Sequence, residues 1–342
     1  MAKDVSTAPE VPPPGLAEEA ADRILAQNRF DLTALLAKAD HRFLAGDHRS
    51  AAAFYAFAAR NFDPREAPEA RRATDMRDWL AERFRHHIVA GIEAAGFASA
   101  DWPERFRQGL EIMFGDRERD LVTERYPQLP NIFFYPGLPY VDFADVEQFP
   151  WRTKLEARFP QLREEASALL ADTADFSPYV GRTTERPQGD VHGLLESRDW
   201  TSLYLRNGGQ PVVANAERCP RTFAAVSEVV PLCTIGQMAP AVLFSLLKPG
   251  AHIPPHTGML NVRYICHLPL IVPPDCSFRV GERTIAWQEG KLLAFDDTVE
   301  HEARNAGSED RLVLIFDVWN PHLSEAEKLI VRAMLELVEQ YR

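Results

Sequence analysis

Between Phe244 and Pro321 the chain is cut into short apolar runs by turn signals at close intervals. These are Pro249-Gly250, Pro254-Pro255, Pro273-Pro274, Val280-Gly281-Glu282 and Glu289-Gly290. Regular short strands punctuated in this way close into a β-sandwich or barrel. The rest of the chain is organised around that stretch.

Two histidines stand at the edges of strand-like runs, His256 and His301, 45 positions apart (301 − 256). Arg311 follows His301 by ten (311 − 301) and opens the run Leu312–Val318. This layout predicts two imidazoles and a guanidinium at the mouth of one barrel. Imidazole ligates Fe(II), and a guanidinium fork holds a carboxylate through two parallel hydrogen bonds. A ferrous oxygenase that consumes a 2-oxo acid needs both. On spacing alone the plainer reading stands beside it, that the histidines are polar residues at strand ends.

Side chains alternate along a strand. After His256, the residues Asn261, Arg263, Ile265 and His267 therefore share one face, and Val262, Tyr264, Cys266 and Leu268 the other. In the last apolar run Arg311, Val313, Ile315 and Asp317 share a face. An inward arginine is costly unless it meets an anion. His252, four before His256, forms an H-x-x-x-H pattern, but Pro254 and Pro255 forbid the helix that pattern needs, and His252 reads as a loop residue.

The motifs are Pro-Gly-x-His-x-x-Pro-His-Thr-Gly at 249–258, Asn-x-Arg at 261–263, His-Leu at 267–268, Phe-Asp-Asp-x-x-x-His-Glu at 295–302, Arg311 and Asp-Val-Trp-x-Pro at 317–321. Together they resemble the catalytic domain of the aspartyl/asparaginyl β-hydroxylases, iron(II)- and 2-oxoglutarate-dependent dioxygenases. The likeness is dense from Ser245 to Pro321 and thinner upstream, at Asp199-Trp200 and Cys219-Pro220-Arg221-Thr222.

The resemblance implies an α+β chain, with a double-stranded β-helix (jelly-roll, cupin-like) catalytic domain preceded by an α-helical domain. It implies that His256 and His301 hold Fe(II), and that Arg311, Ser245 and His267 contact 2-oxoglutarate. Arg263, Trp200 and Ile265 then line the substrate side, and O2 and a peptide or small molecule are the other reactants.

Two departures bear on that reading. A facial iron triad usually takes its carboxylate two residues after the first histidine, where this chain has Gly258. The family resembled also has glycine there and fills the position with water, and halogenases of the same cosubstrate class place a halide there. Asp297, four before His301, is a third-ligand candidate of lower rank. The animal enzymes carry an arginine two positions after Arg263, and this chain has Ile265. A hydroxylase or halogenase of a small molecule or lipid, and a non-catalytic binding barrel, are therefore the alternatives to a hydroxylase of peptidyl Asp or Asn.

Upstream, residues 1–15 are proline-rich and read as a disordered leader, 16–125 as a helical domain and 126–342 as the oxygenase domain. Apolar residues recur at helical spacing from Leu16 to about Leu121, broken at Gly46-Asp47. The helix that follows, with Ala51, Tyr55 and Ala58, resembles half of a tetratricopeptide repeat, and the domain is a candidate site for a protein partner. The segment from Tyr126 to Pro150 is too rich in proline for a helix and reads as a crossing of the second domain's outer surface. A helical stretch interrupted at Pro160, a loop over 176–198 long enough to cover a site, and a hairpin from Trp200 to Asn215 follow. Ser324 and Glu327 form a capping box for a final helix.

A net charge of −12 argues against nucleic acid or an anionic membrane as the main partner. No apolar run has the eighteen or so residues of a membrane span, and no signal-peptide core follows the N-terminus. Cys219, Cys233, Cys266 and Cys276 show no paired spacing and read as reduced thiols, so the cytoplasm is the expected compartment.

Overall fold

A computed structural model describes residues 9–119, 121, 125–189 and 193–342. Residues 1–8 of the expected leader and 190–192 of the expected loop lie outside these. The chain divides into two compact units: 1–98 with 182–190 and 337–342, and 99–181 with 191–336.

The first unit begins with helices α1 (Glu18–Gln27), α2 (Leu32–Leu44), α3 (His48–Asn61) and α4 (Glu69–Ala94). Asp31 and Asp47 start α2 and α3 by accepting hydrogen bonds from the N–H groups of Ala34 (2.9 Å) and Ser50 (3.0 Å), which no helical carbonyl reaches. Gly46, at φ +78°, makes the turn between them. Leu35, Phe54, Tyr55, Met76 and Leu80 form the unit's core. Inside it the buried Tyr55 hydroxyl donates to Asp40 at 2.6 Å, and Arg72 pairs with the same carboxylate. A tetratricopeptide-like unit is not established. The α2–α3 pair, 30 residues from 32 to 61 (61 − 32 + 1), fits the period of about 34, but the 26-residue α4 that follows does not begin a second such pair.

In the second unit come α5 (Glu104–Met113), α6 (Arg152–Glu156) and α7 (Phe159–Ala171). Pro160 opens α7, where its missing N–H has no helical partner to lose. Then follow β1 (Ser177–Pro178), β2 (Trp200–Asn207), β3 (Gln210–Pro211), α8 (Val213–Arg218), α9 (Pro220–Val229), β4 (Val242–Leu247), β5 (His252–His256) and β6 (Arg263–Ile271). The chain continues through β7 (Cys276–Val280), β8 (Arg283–Ile285), β9 (Leu293–Phe295), β10 (His301–Asn305), β11 (Arg311–Trp319) and α10 (Glu325–Gln340).

The strands form two antiparallel sheets, one ordered β1-β2-β4-β11-β6-β9 with β3 on β2, the other β5-β10-β7-β8. This is the expected jelly roll. The larger sheet is buried on both faces, which explains its nearly unbroken apolar strands. Leu246, Tyr264, Cys266, Leu314 and Phe316 pack with Leu155 and Leu162 of α6 and α7. On the other face Leu247, Val313 and Phe295 meet Phe278, Val280 and Ala303 of the smaller sheet. The alternation read from sequence holds: Arg263, Ile265 and His267 lie on the face between the sheets, and Tyr264, Cys266 and Leu268 lie on the helix face.

Several local expectations change. The 126–150 segment has no α-helix, as its prolines require, and it is exposed or half-buried throughout 139–150, but part of it is drawn into the domain. Phe133 and Tyr135 are buried, and Asn261 clamps the Tyr135 backbone at N–H (2.8 Å) and C=O (2.9 Å). The hairpin's return arm, β3, is two residues long because Val213 already starts α8. His252 belongs to strand β5 rather than a loop, and its Nε2 lies 2.8 Å from Glu302. The capping box forms as read: Glu327 accepts from Ser324 N–H (2.9 Å), and Glu327 N–H donates back to the Ser324 hydroxyl (3.3 Å). Among the described residues no helix is long and apolar enough to cross a membrane.

Candidate active site

β5 and β10 pair so that His256 and His301 face each other in register. Their ring centroids are 4.1 Å apart. His256 Nδ1 lies 2.8 Å from the Pro254 carbonyl and His301 Nδ1 lies 3.0 Å from the Val299 carbonyl. A carbonyl only accepts, so each Nδ1 carries the proton and each Nε2 keeps its lone pair. Burial holds His256 below its usual range, and burial with the neighbouring His256 pushes His301 down to about 3. Both rings are neutral, the state in which imidazole binds a metal.

Arg311 begins β11 at 1 % exposure. Its Nε and Nη2 are buried without a hydrogen-bond partner, and its guanidinium lies over the Trp287 ring at 4.9 Å. Burial pushes it down to about 10, with Cys276 opposing. His267 is pushed well down by burial and then by Arg311. The Trp287 indole N–H donates to His267 Nδ1 at 3.4 Å, so the His267 proton sits on Nε2. Ser245 on β4 accepts from the Trp200 indole at 3.1 Å, and the Tyr179 ring stacks on Trp200 at 3.9 Å and 14°. A buried guanidinium with open donors, linked through His267 to His301, in a barrel that also holds two neutral imidazoles fits a metal chelated by a small dianion.

The substrate-side residues differ from expectation. Arg263 donates to Asp317 at 2.6 Å and lies 3.6 Å from Asp297. Burial opposes its charge, but the two carboxylates outweigh burial and raise it. Arg263 is thus held inside the barrel by acids of the chain itself. Ile265, paired with Phe295 and Asp317, packs into the inter-sheet core. Arg263→Met should destabilise the fold by roughly 3–5 kcal/mol, because it strands a buried carboxylate. Denaturant unfolding checks this, and an unchanged midpoint with a raised substrate Michaelis constant would show the arginine facing substrate instead.

Gly258 has a local reason. A Cβ there would collide with the Asp297 carboxylate, and Gly258 N–H donates to the Asp297 carbonyl at 2.6 Å. Burial pushes Asp297 up to about 7, against the pull of Arg263, and its Oδ1 has no hydrogen-bond partner. Among the described residues no three His, Cys, Asp or Glu side chains are grouped to hold a metal ion, so Asp297 does not complete a triad with the two histidines.

Sequence reasoning missed Trp287 and Tyr179, whose roles come from contacts across the fold. Asp317 carried a signal, since an acid on the inward face of an apolar strand calls for a cation.

Residues 156–321 match the profile of a family described as aspartyl/asparaginyl β-hydroxylase. The chain is 34 % identical over 185 residues to an ornithine lipid ester-linked acyl 2-hydroxylase of Rhizobium tropici, covering 53 % of this chain and 62 % of that protein. It is 32 % identical over 221 residues to human aspartate β-hydroxylase domain-containing protein 2, covering 63 % and 57 %. To mouse aspartyl/asparaginyl β-hydroxylase the identity is 35 % over 183 residues, covering 52 % and 24 %. The chain thus spans about three fifths of the first two relatives and a quarter of the third.

Proposed function

We propose that the chain, whose residues 156–321 match the aspartyl/asparaginyl β-hydroxylase profile, is a hydroxylase of that family that uses Fe(II), 2-oxoglutarate and O2. The observation that carries this reading is Arg311, a fully buried cation with two unpartnered nitrogens, set in the same barrel as two neutral histidines. His256 and His301 would hold the metal through Nε2, their orientation fixed by the Pro254 and Val299 carbonyls. When bound, the metal and its cosubstrate supply the oxidation, in which 2-oxoglutarate loses CO2 and O2 is divided between the succinate formed and a hydroxyl inserted into a C–H bond of the substrate. Arg311 would take the far carboxylate of 2-oxoglutarate in a bidentate pair, with the Nε2–H of His267 and the Ser245 hydroxyl as further donors. The Trp200–Tyr179 stack and the Trp287, Phe278 and Phe295 rings would keep water from the reacting centre.

The reaction favours a hydroxylase over a halogenase. The space beside Gly258 that a halide would need is taken by the Asp297 carboxyl group, which repels an anion whenever it is ionised.

For the substrate, peptidyl Asp or Asn is the reading drawn from the family, and a lipid acyl chain is a second reading favoured by a specific observation. Arg263 is already paired by Asp317 and Asp297, and Ile265 is apolar, so the substrate side offers no spare guanidinium for a carboxylate. The acyl 2-hydroxylase relative acts on a chain of that apolar kind by its name.

The test is succinate formation from 2-oxoglutarate with Fe(II) and O2, run with an Asp/Asn-containing domain peptide and with an ester-linked acyl lipid, reading a mass gain of one oxygen. Substrate-stimulated succinate is expected, larger with the lipid if Ile265 decides. No succinate in any arm, or no requirement for iron, would refute the reaction.

A further inference from the structure

The helical unit carries a cavity of about 920 Å³ lined by His48 of α3, residues of α4 and the chain's last positions, all within that unit. Its lining holds His48, Arg83, His86, His87 and Arg342, and no Asp or Glu among the described residues. In a chain of net charge −12 such a wall is not expected by chance composition. Tyr341 also lines it, at 7 % exposure, with its hydroxyl buried and without a hydrogen-bond partner of good geometry. Burial and then Arg83 hold His48 below its usual range, against the opposing pull of Asp47. The remaining wall, along Ala90, Gly91 and Ala94, is apolar.

We propose that this cavity of the helical unit is a binding site for a phosphate ester, its phosphate meeting Arg83, His48, His86 and the Tyr341 hydroxyl, its organic part lying on the Ala90–Ala94 wall. The number of donors argues for phosphate over carboxylate. His87 spends its Nε2–H on the Leu337 carbonyl at 3.2 Å, but two imidazoles, two guanidinium groups and a hydroxyl still exceed what two carboxylate oxygens accept, and a phosphate ester presents three acceptor oxygens and up to two charges. The volume argues for an organic body, since a bare ion would leave most of the cavity empty. A soluble ester and a phospholipid headgroup share this chemistry.

Trp79 provides the readout, because Arg83 lies over its ring at 4.9 Å and His48 lies against its edge at 6.3 Å. Glycerol 3-phosphate, inorganic phosphate and sulfate would each be titrated onto the full chain while tryptophan emission is followed. Sedimentation with phosphatidylglycerol and with phosphatidylcholine vesicles forms the second arm. Glycerol 3-phosphate is expected to give a saturable change at least about tenfold tighter than sulfate, absent in Trp79→Phe. Arg83→Gln is expected to weaken it by roughly ten- to a hundredfold, and Tyr341→Phe, which keeps the ring, by a smaller factor. Arg83-dependent retention on phosphatidylglycerol alone, without response to the soluble ester, supports the site and assigns its phosphate to a lipid. Equal response to sulfate and ester, no response in either arm, or binding unchanged in both Arg83→Gln and Tyr341→Phe overturns the proposal.

Discussion

The double variant His256→Ala/His301→Ala is expected to lose metal binding and 2-oxoglutarate turnover entirely, and each single variant to lose at least about a hundredfold in Fe(II) affinity. The grouping around the site explains the size of the effect. With Gly258 at the usual carboxylate position and Asp297 outside any three-residue group, the chain offers two side-chain ligands, so one substitution removes half of its hold. Turnover in the single variants should fail at low iron and recover in part as iron is raised, since a chelating cosubstrate supplies ligands of its own. The fold should persist. Each ring contacts its partner, one or two aromatic rings (Trp200 at 6.2 Å for His256, Phe295 at 5.1 Å for His301) and one carbonyl; losing the hydrogen bond costs about 1 kcal/mol, and the lost ring contacts add to it. Manganese(II) binding read by paramagnetic resonance separates the two quantities, with circular dichroism as the check on folding. Undiminished metal affinity in the double variant would place the metal elsewhere.

The parts of this site legible in the sequence are those fixed by period and by turn. Strand alternation put Arg263, Ile265 and His267 on one face because the repeat of two is a property of any extended chain, and the larger sheet obeys it. Pro160, Gly46 and the Ser324–Glu327 box marked element ends because each acts on its nearest backbone groups. What stayed hidden was pairing at a distance. Arg263 looked free to meet substrate because Asp317, 54 positions away (317 − 263), reaches it only once β11 lies beside β6. Gly258 looked like a vacancy because nothing local says that Asp297 fills the space beside it. Trp287 is 24 positions from Arg311 (311 − 287) and meets it through the curl of the barrel. Periodicity gives the face a residue occupies; which neighbour shares that face depends on register and closure, and these are set by the whole core.

Arg311→Met is expected to separate stability from function, and in opposite directions. Without an anion the guanidinium is buried with Nε and Nη2 unpartnered, and its lowered pKa shows how strongly burial acts on its charge. Such a group costs the ligand-free fold free energy, which replacement by an apolar side chain of similar length recovers. Exchanges of buried charge for well-packed apolar groups are commonly neutral or stabilising by about 1–4 kcal/mol. The ligand-free variant should therefore unfold at an equal or higher temperature than the parent. With 2-oxoglutarate the order should reverse. The parent gains stability in proportion to the logarithm of ligand over dissociation constant, whereas the variant has lost a buried charge-assisted pair worth roughly 3–5 kcal/mol. That corresponds to a weakening of about a hundredfold or more. Arg311→Lys, which keeps the charge but not the fork, should fall between them. Thermal unfolding of the three proteins, each with and without 2-oxoglutarate, reads both effects together. A variant less stable than the parent in the absence of ligand, yet equally stabilised by it, would show that Arg311 is a structural cation and that the cosubstrate carboxylate is held by another group.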